Sequence, residues 1–196
     1  MITNNDSVEA RYKRAAEPSG AANLIWLASL VLAALGGSLL ISCIMPFVAF
    51  AVALAATVRL RLALGAMTVI WLINQLIGFV FYNFPRTTNT VLWGVAIWGA
   101  ALLTTMIASS VVRRTRELSI FARLVFALVI GFATYQVALC GAALFLGGRE
   151  TFSLAIVMQL GFMNLAWLIG IGVFNELMSI LCKSWIGVMP RLVRAS

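Results

Sequence analysis

The chain has 196 residues, 63% of them apolar and 10% charged, with a mean hydropathy of +1.04, whereas an average soluble domain is about 25% charged and about half apolar. A soluble fold of this size has too little interior to hide so much apolar surface, so the composition points instead to an all-α integral membrane protein built from spans of about 20 residues. The net charge of +8 would suggest nucleic acid in a soluble chain, but here it reads as basic loops on one side of a bilayer; the expected partners are lipid and other membrane subunits or further copies of the chain, and no nucleic acid.

Residues 1–20 form a polar tail carrying Arg11, Lys13 and Arg14 and ending in Pro18, Ser19 and Gly20. The apolar run that follows far exceeds the 7–15 residues of a signal peptide, so it reads as an uncleaved helix. Residues 21–58 contain no charge, and their length predicts two helices in a tight hairpin turning between Gly36 and Pro46. Gly36, Gly37 and Ser38 suit that turn, and Pro46 suits the first turn of the second helix, where its missing donor costs nothing.

A third helix is predicted over 62–82, stopped by Asn83, Phe84, Pro85 and Arg86, and a fourth over 90–112, capped by Asn89 or Thr90. Arg113, Arg114, Thr115, Arg116 and Glu117 form a loop before a fifth helix over 119–146. Gly147, Gly148, Arg149 and Glu150 turn the chain into a last helix over 151–181. The domain plan is thus a tail at 1–20, a six-transmembrane-helix bundle at 21–182, and a basic and apolar tail at 183–196 suited to a membrane surface.

Charge distribution orients this plan. With six crossings, twelve Lys and Arg fall on one side and only Arg86 and Arg149 on the other; a single crossing over 21–58 would split them five against nine. The positive-inside bias favours six crossings, with both termini cytoplasmic in a bacterial-type inner membrane. A re-entrant first hairpin leaves the count unchanged.

Small residues at helical spacing mark close helix contacts: Ser29, Ala33 and Gly37; Ala49 and Ala53, or Ala51 and Ala55; Gly94, Ala101 and Ala108; and Gly131, Thr134, Ala138 and Gly141. Of six tryptophans, Trp26, Trp93 and Trp185 suit an interfacial belt, while Trp71, Trp98 and Trp167 lie deeper.

Histidine is absent, and Cys43, Cys140 and Cys182 lack ligand spacing, so no metal, haem or other cofactor is expected. There is no HExxH, no GxSxG and no paired carboxylate, so no catalytic residue is assigned and an enzyme is not expected. The mid-helix charges that mark proton and cation pathways are missing as well. Glu176 near the last helix's end reads as a cap or surface ion pair.

What remains is a layer of uncharged polar groups at similar depth. Asn74 and Gln75 lie mid-way along the third helix with Gly78 one turn on, Tyr135 and Gln136 lie in the fifth, and Asn164 in the sixth with Gln159 about one turn outward. An amide in hydrocarbon needs partners in the bundle, in water or on a ligand. These seven residues are therefore the candidate substrate-binding set for a neutral or zwitterionic small molecule. The chain then reads as a small transport protein or a substrate-binding membrane subunit, similar in size and pass number to the capture components of vitamin transporters that borrow a separate energising module. The alternative is a non-catalytic accessory subunit of a larger membrane complex, its amides bonded to one another. The topology is tested by reporter fusions: one after Ser196 is expected in the cytoplasm and one at Arg86 outside, and the reverse at either point would refute the six-crossing plan.

Overall fold

The computed structural model describes residues 20–40, 45–148 and 152–181. Both terminal tails, Cys43, Cys182, Arg149 and Glu150 lie outside the described residues, as does the 41–44 connection. Within these limits the chain is entirely helical, with six helices: α1 (Gly20–Leu40), α2 (Phe47–Thr57), α3 (Leu60–Val80), α4 (Thr88–Arg114), α5 (Ile120–Leu146) and α6 (Leu154–Leu181). The five long ones are apolar enough and long enough to cross a membrane, but α2 has only 11 residues. At 1.5 Å per residue it reaches about 16 Å, roughly half of a hydrocarbon core. The expectation of six full spans is therefore corrected to five spans and one short helix.

Helix ends follow local chemistry. Thr87 caps α4, its hydroxyl accepting from the Thr90 N–H at 3.2 Å; Asn89 and Thr90, expected as caps, are already helical. Ser119 accepts from Ala122 N–H at the start of α5. Gly147 and Gly148 end α5 with φ of +83° and +87°, a region that glycine enters without steric cost. The helix continues through Gly36, Gly37 and Ser38 to Leu40, so these three residues do not make the turn predicted between Gly36 and Pro46, and Pro46 stands just before the first residue of α2.

Helix α2 occupies the centre. It packs against α3, α4, α5 and α6, and every residue from 47 to 54 is buried. Such a segment, apolar on all faces, has no side to offer to water. Alternating Ala49, Ala51 and Ala53 with Phe50, Val52 and Leu54 lets four neighbours approach while larger side chains fill the gaps. Helix α1 packs chiefly on α3. It meets α2 where the fully buried Trp26 indole donates to Thr57 Oγ1 at 3.0 Å, so Trp26 is a helix tie and not the belt residue expected. Gly37 lets α1 approach α6, since a Cβ there would stand 2.7 Å from the Trp167 ring, which also packs on Phe50.

The other deep tryptophans also join helices. Trp71 Nε1 donates to the Gly94 carbonyl at 2.9 Å, Trp98 Nε1 donates to Thr68 Oγ1 at 3.2 Å, and the two rings lie 5.7 Å apart between α3 and α4. The Gly94, Ala101 and Ala108 stripe of α4 is buried throughout. On α5 only Gly131 of its stripe is buried, meeting Thr104 and Val48, while Thr134 and Ala138 border a shallow outer groove.

The start of α2 presents a problem that Pro46 cannot solve, because proline has no side-chain acceptor. The first N–H groups of a helix have no intrahelical acceptor, and away from water each unmet group costs several kcal/mol. Asn164 of α6 answers it. Its Oδ1 accepts from the Ala49 N–H at 3.0 Å, and its Nδ2 donates to the Leu160 carbonyl at 2.8 Å. Asn164 is thus a cap supplied from another helix. Asn164→Leu, which keeps the branching at Cγ but removes the acceptor, is expected to cost about 1–3 kcal/mol of stability in a reversible unfolding assay in detergent, whereas Gln159→Leu on the exposed face is expected to be neutral.

Candidate functional site

Helices α3, α4, α5 and the α2–α3 junction bring six described arginines, Arg59, Arg61, Arg113, Arg114, Arg116 and Arg123, to one end of the bundle, and Arg86 lies in the connection at the other. These are called the basic end and the far end.

The seven predicted residues do not converge on one cavity. Gly78 is buried because Phe84 folds back over it: a Cβ would overlap the Phe84 ring, and the Phe84 N–H donates to the Gly78 carbonyl at 3.1 Å. Asn83, with φ of +50°, makes that reversal, a conformation asparagine tolerates better than most residues. The space that its missing side chain leaves is therefore taken by Phe84 at the end of α3. Gln75 lies against α4, its Oε1 2.8 Å from where a Cβ on Gly94 would stand. Asn74 is half-buried beside it on α3. The Tyr135 ring packs on Phe47 of α2 with centroids 6.3 Å apart. Gln159 is exposed on the outside of α6. Asn164 is committed to the start of α2, as described.

Gln136 differs from the rest. It lines a cavity of about 350 Å³ near the far end, between α4, α5 and the start of α6, within the size range of small-molecule sites. Trp93 and Phe152 supply aromatic wall, Ile97, Leu139, Ile156 and Leu160 supply aliphatic wall, and among the described residues no charged side chain lines it. Gln136 Nε2 is buried and has no hydrogen-bond partner. A buried amide donor left unpaired costs about 1–3 kcal/mol, and such groups in folded proteins commonly await a water or a ligand.

Local sequence explains the cavity. Gly147 and Gly148 break α5 early and carry no side chain into the space, and Gly148 sits close enough to Trp93 that a Cβ would stand 3.7 Å from the ring. Ser153 receives the Ile156 N–H at 3.4 Å and starts α6 to one side. Reading by depth found Gln136 but missed Trp93 and Phe152. The available signal was their nearness in sequence to the far helix ends, the same level as the Gly147 and Gly148 turn.

Among the described residues no group of three or more histidine, cysteine or acidic side chains could hold a metal, and Cys140 is free and exposed. Chemically, the cavity can accommodate a compact, mostly apolar molecule and donate a hydrogen bond to it. No protein-family model, no curated protein and no solved structure matches the chain. Because Gln136 Nε2 is orphaned, Gln136→Leu is expected to hold or raise the stability of the ligand-free protein by about 1 kcal/mol, the opposite sign to Asn164→Leu. A loss of that size in the same unfolding assay would mean that the amide is structural.

Proposed function

We propose that the chain is a membrane protein that captures a neutral small molecule at its far-end cavity, acting as a small transport protein or as the substrate-binding subunit of a larger transporter. One observation carries the reading: a buried, partnerless amide nitrogen on the wall of a cavity whose described lining is uncharged and flanked by Trp93 and Phe152. Aromatic and aliphatic walls with a single placed polar group are the usual make-up of a small-ligand pocket. The apolar make-up of the described lining and its amide donor favour a ligand with a carbonyl or hydroxyl acceptor.

The arginine distribution supports placing the basic end, and with it both termini, on the cytoplasmic side of a bacterial-type inner membrane. The cavity then meets solute arriving from outside. The chain carries no GxxxxGK[ST] phosphate loop, so uptake driven by nucleotide hydrolysis draws on a partner subunit.

A second reading, a non-catalytic accessory subunit, is favoured by the seam between α5 and α6. These two helices, consecutive in the chain, touch only sparsely. They leave an apolar groove of about 440 Å³ along Val129, Phe132, Ala133, Met158, Gly161 and Phe162, into which a helix of another subunit would fit.

The two readings separate on what travels with the protein. Native mass spectrometry of the full chain, extracted gently from its own membranes, is expected to retain a small molecule that Gln136→Leu and the cavity-filling Leu139→Trp both lose. If the wild type retains no small molecule, or retains the same one as both variants, the capture reading fails.

A further inference from the structure

At the basic end, α2 stops where α3, α4 and α5 also have their ends, and the four leave a cleft of about 450 Å³. Arg59, Arg113, Arg116 and Arg123 line it. Four guanidinium groups around one small cleft repel one another, and among the described residues nothing acidic lines the cleft to offset them. The acidic residue of the α4–α5 connection, Glu117, is exposed and is not part of the lining. The C-terminal carbonyls of α2 and α4 bring partial negative charge to this end, worth about half an elementary charge per helix. That is too little to balance four full charges.

Two further features show a built site. Ser109, 5% exposed, lines the cleft, and its Oγ is buried without a hydrogen-bond partner. Most serine and threonine hydroxyls within these helices donate back to a carbonyl one turn earlier, as Thr105 does to Ala101 and Ser110 to Met106. Ser109 does not, which leaves its hydroxyl for something in the cleft. Arg123 in turn is a brace: its guanidinium donates to the carbonyls of Thr115, Arg116 and Leu118. The α4–α5 connection that carries Arg116 is thereby held against α5, and Arg113 and Arg116 are presented on a fixed frame. The start of α3, whose cap residue Arg59 provides no side-chain acceptor, borders the same space at Leu60 and adds the positive end of a helix dipole.

We infer that this cleft binds a phosphate group, with Arg59, Arg113 and Arg116 as charge partners and Ser109 Oγ as a hydrogen-bond donor at its floor. Guanidinium forks match phosphate oxygens in pairs. Val58, Leu60 and Val112 make part of the lining apolar, and the cleft lies where the apolar spans end. Basic pockets between helices at this level are where anionic lipid headgroups are held. Phosphate chemistry is common to such a headgroup and to a free phosphate, and the test separates them.

The full-length protein is placed in nanodiscs of phosphatidylcholine with increasing phosphatidylglycerol, and lipid retained on ejection is counted by native mass spectrometry. A parallel arm uses pure phosphatidylcholine discs with inorganic phosphate at millimolar concentration and reads the melting temperature. Selective retention of phosphatidylglycerol, weakened about fivefold for each of Arg113→Gln and Arg116→Gln and also by Ser109→Ala, supports the site and identifies the headgroup as its source. A phosphate-dependent rise in melting temperature, lost in the same variants, supports the site with free phosphate as its source. Arg86→Gln at the far end is expected to change neither. These arginines are exposed, so the variants fold, and retention or stabilisation equal to wild type in all three overturns the inference, as does a wild type that responds to neither probe.

Discussion

A helix whose start is buried among other helices must find acceptors for its first N–H groups, and the centre of this bundle meets that requirement from a distant part of the chain. Helix α2 starts behind a proline, is surrounded by protein along residues 47–54, and receives its cap from Asn164 of α6. In lipid there is no hydrophobic drive to gather helices, because the tails are as apolar as the side chains, so close packing and interhelical hydrogen bonds must do it. The cap joins α6 to α2, the Trp26–Thr57 bond joins α1 to the other end of α2, and the Trp71 and Trp98 bonds join α3 to α4. Each uses a side-chain donor or acceptor near a small residue or a helix end, where the backbone is within reach.

The long helices were legible because a bilayer imposes their length. Charge-free runs bounded by arginine, proline and glycine place α3 to α6 within three residues of the observed ends. Residues 21–58 were harder: absence of charge revealed that the chain stays within the membrane, but could not reveal that the second helix covers only half of it. The physical reason is that a buried half-helix and a full span have the same composition; what distinguishes them is a distant partner for the backbone, and Asn164 lies 115 positions from Ala49.

The polar layer shows a second limit of the same kind. Depth along a helix follows from counting residues, and Asn74, Gln75, Gln136 and Asn164 all lie inside their helices, away from the ends. Direction around the helix does not follow, because it depends on which neighbour packs where. Gln75 faces α4, Asn164 faces α2, and Gln159 faces outward, so residues at similar depth serve different contacts. Gly78 was singled out for its missing side chain, and that was the right property, but the group approaching it is Phe84 of its own helix end. Trp26 illustrates the converse: its position near a helix start suggests a belt, yet the indole N–H needs a partner when buried, and Thr57 provides one.

The two cavities lie at opposite ends, and α2 stands between them. The far-end cavity has an orphaned amide and no charge among its described lining; the basic cleft has an orphaned hydroxyl and four arginines. Thr57 and Val58 at the end of α2 line the basic cleft, while the residue that caps the start of α2 donates to the carbonyl of Leu160, whose side chain lines the far-end cavity. Occupancy at either end therefore acts on an element in contact with α2. Packed interiors shift between discrete arrangements more readily than they deform continuously, and the sparse α5–α6 seam restrains α6 little on that side. A displacement of α6 along the seam would carry Asn164 away from the Ala49 N–H and uncap the start of α2, while the packing of residues 47–54 and the Trp26–Thr57 bond keep hold of the rest of that helix.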